Sequence, residues 1–302
     1  MVSIVIPSYN SEKTIYNCLQ ALHNQNYEGE YEIILADSSV DQTPEIVKEH
    51  FPRVKLIRFE SKTDPGTARN AGVRQSKGDV ILFIDSDCIA SEDWVQKICR
   101  LHDSHPEVAA VGGAAANGNP SDDEVAWAGY MAEFREYIPE NPAGYVWHIP
   151  TLNISYKRWV FEKYGYFDSR YYPQEDLVFN YQLTQNGDKI LFDPSIIVWH
   201  FHRSELQGFF RHQKNIGRIT AQVLKILPLQ GHFIARNKLL FLITGPVLPL
   251  VKFQKTLVYF FRKRKQLLFQ HPMAVFFLKI GLFYWYLGFA QGVFSKSLGG
   301  KS

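Results

Sequence analysis

The chain has 302 residues, 46% hydrophobic and 15% aromatic, enough for one large domain or two small ones with a substantial core. Its three cysteines, Cys18, Cys88 and Cys99, show no zinc-type spacing and fit reduced thiols in a cytosolic compartment. The net charge of +3 hides a division: residues 203–302 hold 16 Lys and Arg against one acid, Glu205, for a net +15, leaving the first 202 residues at −12.

The chain enters an apolar strand at once, Val2-Ser3-Ile4-Val5-Ile6, so no secretory signal is expected before it. That strand runs into Pro7-Ser8-Tyr9-Asn10. Ser11 is expected to cap a helix whose Ile15, Cys18, Leu19 and Leu22 recur at helical spacing. A second strand, Glu32 to Ala36, ends at Asp37-Ser38-Ser39. Thr43-Pro44 opens the next helix, with proline in its first turn. Gly66 to Ser76 reads as a third helix and carries Ala68-Arg69-Asn70-Ala71-Gly72. A third strand, Val80 to Ile84, is a run of five apolar residues, as in a strand buried on both faces. It ends at Asp85-Ser86-Asp87. Alternating strands and helices imply a parallel sheet with right-handed crossovers, which brings all three polar strand ends to one edge. Ligands bind at that edge in open α/β sheets.

An isolated Asp-x-Asp is as well explained by a solvated turn. Beside two other polar strand ends it suggests a hard cation, Mg²⁺ or Mn²⁺, holding a diphosphate. No Gly-x-Gly-x-x-Gly follows the first strand, which argues against a dinucleotide oxidoreductase. Further on, Gly112 to Asp123 is small and polar and reads as a mobile loop. Trp147 offers either an apolar platform or a core contact. Glu175-Asp176 opens a helix over Leu177 to Asn186 that Gly187 closes, and first-turn carboxylates are favoured by the helix dipole. His200 and His202 follow an apolar strand, Ile196 to Trp199.

The opening Val-Ser-Ile-Val-Ile-Pro-Ser-Tyr-Asn, Asp37, Ala68-Arg69-Asn70-Ala71-Gly72, Asp85-Ser86-Asp87, Glu175-Asp176 and the His200 region together resemble a family-2 glycosyltransferase with the GT-A fold. The match covers about residues 1–220. The resemblance implies an α/β fold, a Rossmann-like and mostly parallel sheet flanked by helices, and inverting transfer from a nucleotide-sugar, expected to be a UDP-sugar. It implies that Pro7, Ser8, Tyr9, Asp37, Arg69, Asp85 and Asn153 bind the donor. Asp37 would accept the uracil N3–H, and Asn153 would line the donor–acceptor junction. It further implies Asp87, Asp85 and His200 around a divalent metal, Mg²⁺ or Mn²⁺, with Asp176 as base and Glu175 as its neighbour. The acceptor is expected to be a glycan or a lipid-linked hydroxyl in cell-surface glycan synthesis. A polyprenyl-phosphate sugar synthase and a non-catalytic nucleotide-sugar-binding scaffold are the alternatives.

The expected organisation is a catalytic domain over 1–225, with a nucleotide half (1–110) and an acceptor half (111–225), then a basic apolar tail over 226–302. Leu206 to Leu227 reads as amphipathic. Leu239 to Val251 is an uncharged run of thirteen residues with Pro246 and Pro249, short of the ~20 that a spanning helix needs. Met273 to Phe294 is long enough to span but carries Lys279. Basic charge interleaved with apolar stretches points to an anionic membrane surface rather than nucleic acid. The tail is expected to form interfacial or re-entrant helices, with a true span and a wholly soluble tail as the alternatives; in each membrane case Arg262-Lys263-Arg264-Lys265 places the catalytic domain on the cytoplasmic face. Membrane-embedded polymer synthases carry Gln-x-x-Arg-Trp. Here Gln213-Lys214-Asn215-Ile216-Gly217 lacks the Arg and Trp, which favours transfer of a single sugar.

Overall fold

The structure is a computed structural model and describes residues 1–298. It forms two compact units, one of Met1–Gly118, Tyr137–Ser169 and Glu175–His200, the other of Asn119–Glu136, Arg170–Gln174 and Phe201–Ser302.

In chain order the first part of the fold is β1 (Val2–Ser8), α1 (Ile15–His23), β2 (Tyr31–Asp37), α2 (Thr43–His50), β3 (Lys55–Arg58), α3 (Pro65–Gln75) and β4 (Val80–Ile84). Then come β5 (Cys88–Ala90), α4 (Trp94–Ser104), β6 (Val108–Asn117), α5 (Glu124–Glu133), β7 (Gly144–Val146), β8 (Asn153–Lys157), α6 (Arg158–Tyr164), α7 (Glu175–Gln185) and β9 (Lys189–His200). Five helices close the described chain: α8 (Leu206–Ile226), α9 (His232–Arg236), α10 (Lys238–Thr244), α11 (Leu248–Gln270) and α12 (Pro272–Phe294).

All the strands lie in the first unit, in the order β3-β2-β1-β4-β8-β6-β9-β5, with β7 also paired to β9. The parallel pairs β1–β2, β1–β4 and β2–β3 are the right-handed α/β half expected from the alternating pattern. Each of these strands ends in polar residues, so Ser8, Asp37 and Arg58 meet in register across one edge. Strand β8 runs antiparallel to β4 and starts at Asn153 opposite Ile84, which brings a fourth strand end to that edge.

Several local expectations need correction. Ser11 makes no side-chain cap on α1; its hydroxyl bonds to Ser86 Oγ at 2.8 Å and ties the first loop to the acidic turn. Asp64, not singled out from sequence, caps α3 by accepting from Thr67 N at 2.9 Å. The stretch from Gly112 is no loop: Gly112 to Asn117 continue β6, and the chain leaves the sheet only after that. Small residues there reflect crowding rather than mobility, since a Cβ on Gly113 would lie 2.0 Å from the Ile196 carbonyl oxygen. The expected division at 110/111 therefore falls inside a strand.

The second unit is helical. Helices α8 and α12 touch backbone to backbone: a Cβ on Gly217 would lie 1.9 Å from the Trp285 carbonyl oxygen, and one on Gly288 1.8 Å from that of Lys214. Phe241, Trp285, Phe289 and Val293 form a core with Ala221, Leu224 and Ala235. This contact groups Leu206–Ile226 with the C-terminal helices in one compact unit. By length and composition, two stretches among the described residues, Lys238–Gln270 and Pro272–Phe294, could cross a membrane. The first is longer than the thirteen-residue run read from sequence because Pro246 and Pro249 sit in first turns, where a missing N–H costs nothing.

Candidate active site

At the polar edge of the sheet, β1 and β2 are stitched by loop contacts. Asn10 sits at φ 52°, and its amide oxygen accepts from Val40 N at 3.0 Å. Ser11 N donates to Thr43 Oγ1 at 2.9 Å. Pro7 and Ser8 are buried, and Ser8 Oγ has no hydrogen-bond partner. Tyr9 is exposed, with Lys62 Nζ 4.2 Å from its ring centroid. Asp37 is fully buried; its carboxylate is paired with Arg58 and accepts from Ser39 Oγ. Arg58 was not singled out from sequence, although its place one register step from Asp37 follows once β3 is paired to β2.

The Asp85-Ser86-Asp87 turn points its two carboxylates in different directions. Asp87 turns toward His200, whose Nε2 is 3.5 Å from Asp87 Oδ1. This meeting follows from the antiparallel pairing of β5 with β9, which sets Cys88 opposite His200. Asp87, Cys88 and His200 offer ligand atoms within 4.8 Å of one another. The carboxylate suits Mg²⁺ or Mn²⁺, and the imidazole is a better partner for Mn²⁺ than for Mg²⁺. Cys88 suits neither, because burial pushes its thiol well above the ordinary range.

Asp85, expected on the metal as well, accepts from Arg69 Nη2 through Oδ1 at 2.6 Å. Arg69 is itself buried, and its Nη1 donates to Glu175 Oε1 at 2.9 Å. One guanidinium thus bridges the acidic turn after β4 and the first turn of α7. Burial raises the Glu175 carboxyl to about 7, with the Asp176 charge adding and Arg69 opposing.

Helix α7 starts at Glu175, two residues before the helix read from sequence, so both carboxylates stand in its first turn. Asp176 is held by three donors: Thr151 N at 3.0 Å, Thr151 Oγ1 at 3.3 Å and Leu177 N at 2.7 Å. Thr151 is a positioning residue that sequence reading missed. Asn153 is a correction. It is 1% exposed, accepts from Trp94 Nε1 at 2.8 Å, and donates to the carbonyls of Ala114 and Ile196 at 2.9 and 3.0 Å. Its amide is spent on locking β6, β9 and α4 together, not on lining a junction. Trp147 is exposed, tilted against His148.

The mixed α/β architecture is shared with solved structures. A mannosyltransferase from Pyrobaculum calidifontis, solved with GDP-Man and Mn²⁺, superposes with a TM-score of 0.62 at 17% identity over 94% of this chain and 85% of that one. S. aureus TarS 1-349 in complex with UDP-GlcNAc gives 0.55 at 18% identity over 95% and 90%. These likenesses define the class: the first unit has the GT-A fold. Residues 3–165 match Glycosyl transferase family 2, and the chain belongs to that family of glycosyltransferases. Among curated proteins it is 25% identical over 254 residues to a dolichyl N-acetyl-alpha-D-glucosaminyl phosphate 3-beta-D-2,3-diacetamido-2,3-dideoxy-beta-D-glucuronosyltransferase of Methanococcus voltae, covering 77% of this chain and 75% of that protein. It is 26% identical over 231 residues to the glycosyltransferase AglE of Haloferax volcanii, covering 74% and 73%.

Proposed function

We propose that this chain is a metal-dependent, inverting glycosyltransferase that moves one sugar from a UDP-sugar to the hydroxyl of a glycan or lipid-linked acceptor at the cytoplasmic face of a membrane. The observation that carries the reading is the Arg69 bridge. It ties the turn that bears Asp87 to the helix that bears Asp176, which an enzyme needs and a lone nucleotide-binding turn does not.

On this reading Asp87 and His200 hold the cation, which when bound offsets charge on the departing nucleotide diphosphate. Ser8, Tyr9 and Asp37 line the base and ribose, and the unpartnered Ser8 hydroxyl is available to a ligand. Asp37 must exchange its Ser39 or Arg58 contact to accept a uracil N3–H. Asp176 takes the proton from the acceptor hydroxyl as that oxygen attacks the anomeric carbon from the face opposite the leaving nucleotide. Thr151 and the Leu177 N–H keep the carboxylate aimed, and Arg69 positions Asp85 and Glu175. The apolar stretches Lys238–Gln270 and Pro272–Phe294 supply the membrane contact.

Asp176→Asn keeps the size of the side chain and removes the base. Transfer should fall roughly 10²–10⁴-fold with donor affinity nearly unchanged, and the wild-type product should have inverted configuration by proton NMR. Near-normal turnover in the Asn variant, or retained configuration, contradicts the assignment.

A further inference from the structure

A groove of about 530 Å³ in the helical unit lies outside everything described above. Arg135, Lys255, Arg262 and Lys263 line it, with Glu136 as the only acid and Val258 in its wall. Lys255, Val258 and Arg262 recur every three to four residues on α11 and so share one side of the helix, with Lys263 flanking them. Arg135 is fixed in place, donating to Thr256 Oγ1 at 3.0 Å and to Glu136 Oε1 at 3.2 Å. Thr256 and Phe260 on the same helix are buried, whereas Lys255, Arg262 and Lys263 are exposed, so the cations are presented rather than folded inward.

Beside the groove the surface turns apolar. Val258 is 42% exposed and Phe261 59%, and the same chain segment further back exposes Leu242, Ile243, Val247 and Leu250 by 52–70%. A protein that bound a soluble anion would have no use for that flank. A phosphate held by four cations with hydrocarbon next to it has the chemistry of a lipid head group at a bilayer surface. The net +15 over residues 203–302 is complementary to the same partner.

We propose that this groove seats the phosphate of an anionic phospholipid, with Val258 and Phe261 against the first carbons of its acyl chains. The proposal rests on the helical unit being membrane-associated and adds a defined head-group site to it.

The test uses full-length protein and flotation on phosphatidylcholine vesicles with and without phosphatidic acid. Lys255→Gln/Arg262→Gln removes two groove charges; Lys279→Gln/Lys296→Gln removes two exposed charges elsewhere in the unit. The groove pair should lose roughly thirty-fold in affinity for the anionic vesicles, as expected for two cations close to an anionic surface. The control pair should lose less than about threefold, with unchanged melting temperature in both. Equal losses in the two pairs overturn the groove and leave diffuse membrane attraction. Displacement from vesicles by millimolar inorganic phosphate overturns the lipid in favour of a soluble phosphate. Failure of the wild-type chain to float on either vesicle overturns the groove and the membrane reading together. None of these outcomes touches the Asp176 experiment.

Discussion

The two units expose different kinds of apolar surface. Of nine large apolar side chains exposed in the first unit, seven are Tyr or Trp, each with a polar group to offer water. The fifteen exposed in the second unit, among the described residues, are all Phe, Leu, Ile, Val or Met. On our reading, the bare hydrocarbon side chains of the helical unit meet a membrane. Charge divides the same way, acidic in the first 202 residues and basic beyond. One fold therefore carries the reaction and the other, by our reading, carries the location.

The comparison can be broken most severely at the α8–α12 contact. Gly288→Leu has no room beside the Lys214 backbone, so the helical unit should lose more than about 4 kcal/mol or fail to assemble. Nucleotide binding by the first unit should survive, as read by UDP titration alongside thermal melting. Loss of both together would mean that the units are not separable in stability.

The first unit is most exposed to damage at Asn153. Asn153→Ala leaves the Trp94 indole N–H and two buried carbonyls without a partner, a cost of roughly 3 kcal/mol in urea unfolding. A loss of catalysis with unchanged stability would return Asn153 to the donor–acceptor junction.

The smallest effect is a pH slope. Because the folded Glu175 carboxyl lies near 7, above its ordinary 4.5, the stability it contributes is complete below about pH 4.5 and is lost as pH rises through about 7. Glu175→Gln should remove that slope, on the order of 1–3 kcal/mol, when melting temperatures of both proteins are compared from pH 4.5 to 8. Parallel profiles would show that Glu175 is ionised throughout, held by Arg69.

The elements that sequence made legible are those with local signals. Val2 to Ile6 and Val80 to Ile84 are apolar runs with polar ends, and Ile15, Cys18, Leu19 and Leu22 are all buried as their spacing predicts. What stayed hidden depends on distant pairing. Nothing near Cys88 announces that it will face His200, and nothing near Arg69 announces Glu175, 106 residues on. The second half of β6, Gly112 to Asn117, reads as a loop because Gly113 and its alanine neighbours lack the bulky side chains that signal a strand. Those small residues are required by what packs on them. Asn153 was misplaced for the converse reason: a polar residue at a strand end looks functional until its three buried partners are seen.

The central claim, that the first unit binds a nucleotide-sugar through a cation on Asp87 and His200, is tested most directly by calorimetric titration of UDP into the full-length protein with Mn²⁺ and with EDTA. We predict affinity at least about tenfold tighter with the metal, and loss of that difference in Asp87→Ala. Equal affinity in Mn²⁺ and EDTA would contradict the metal site.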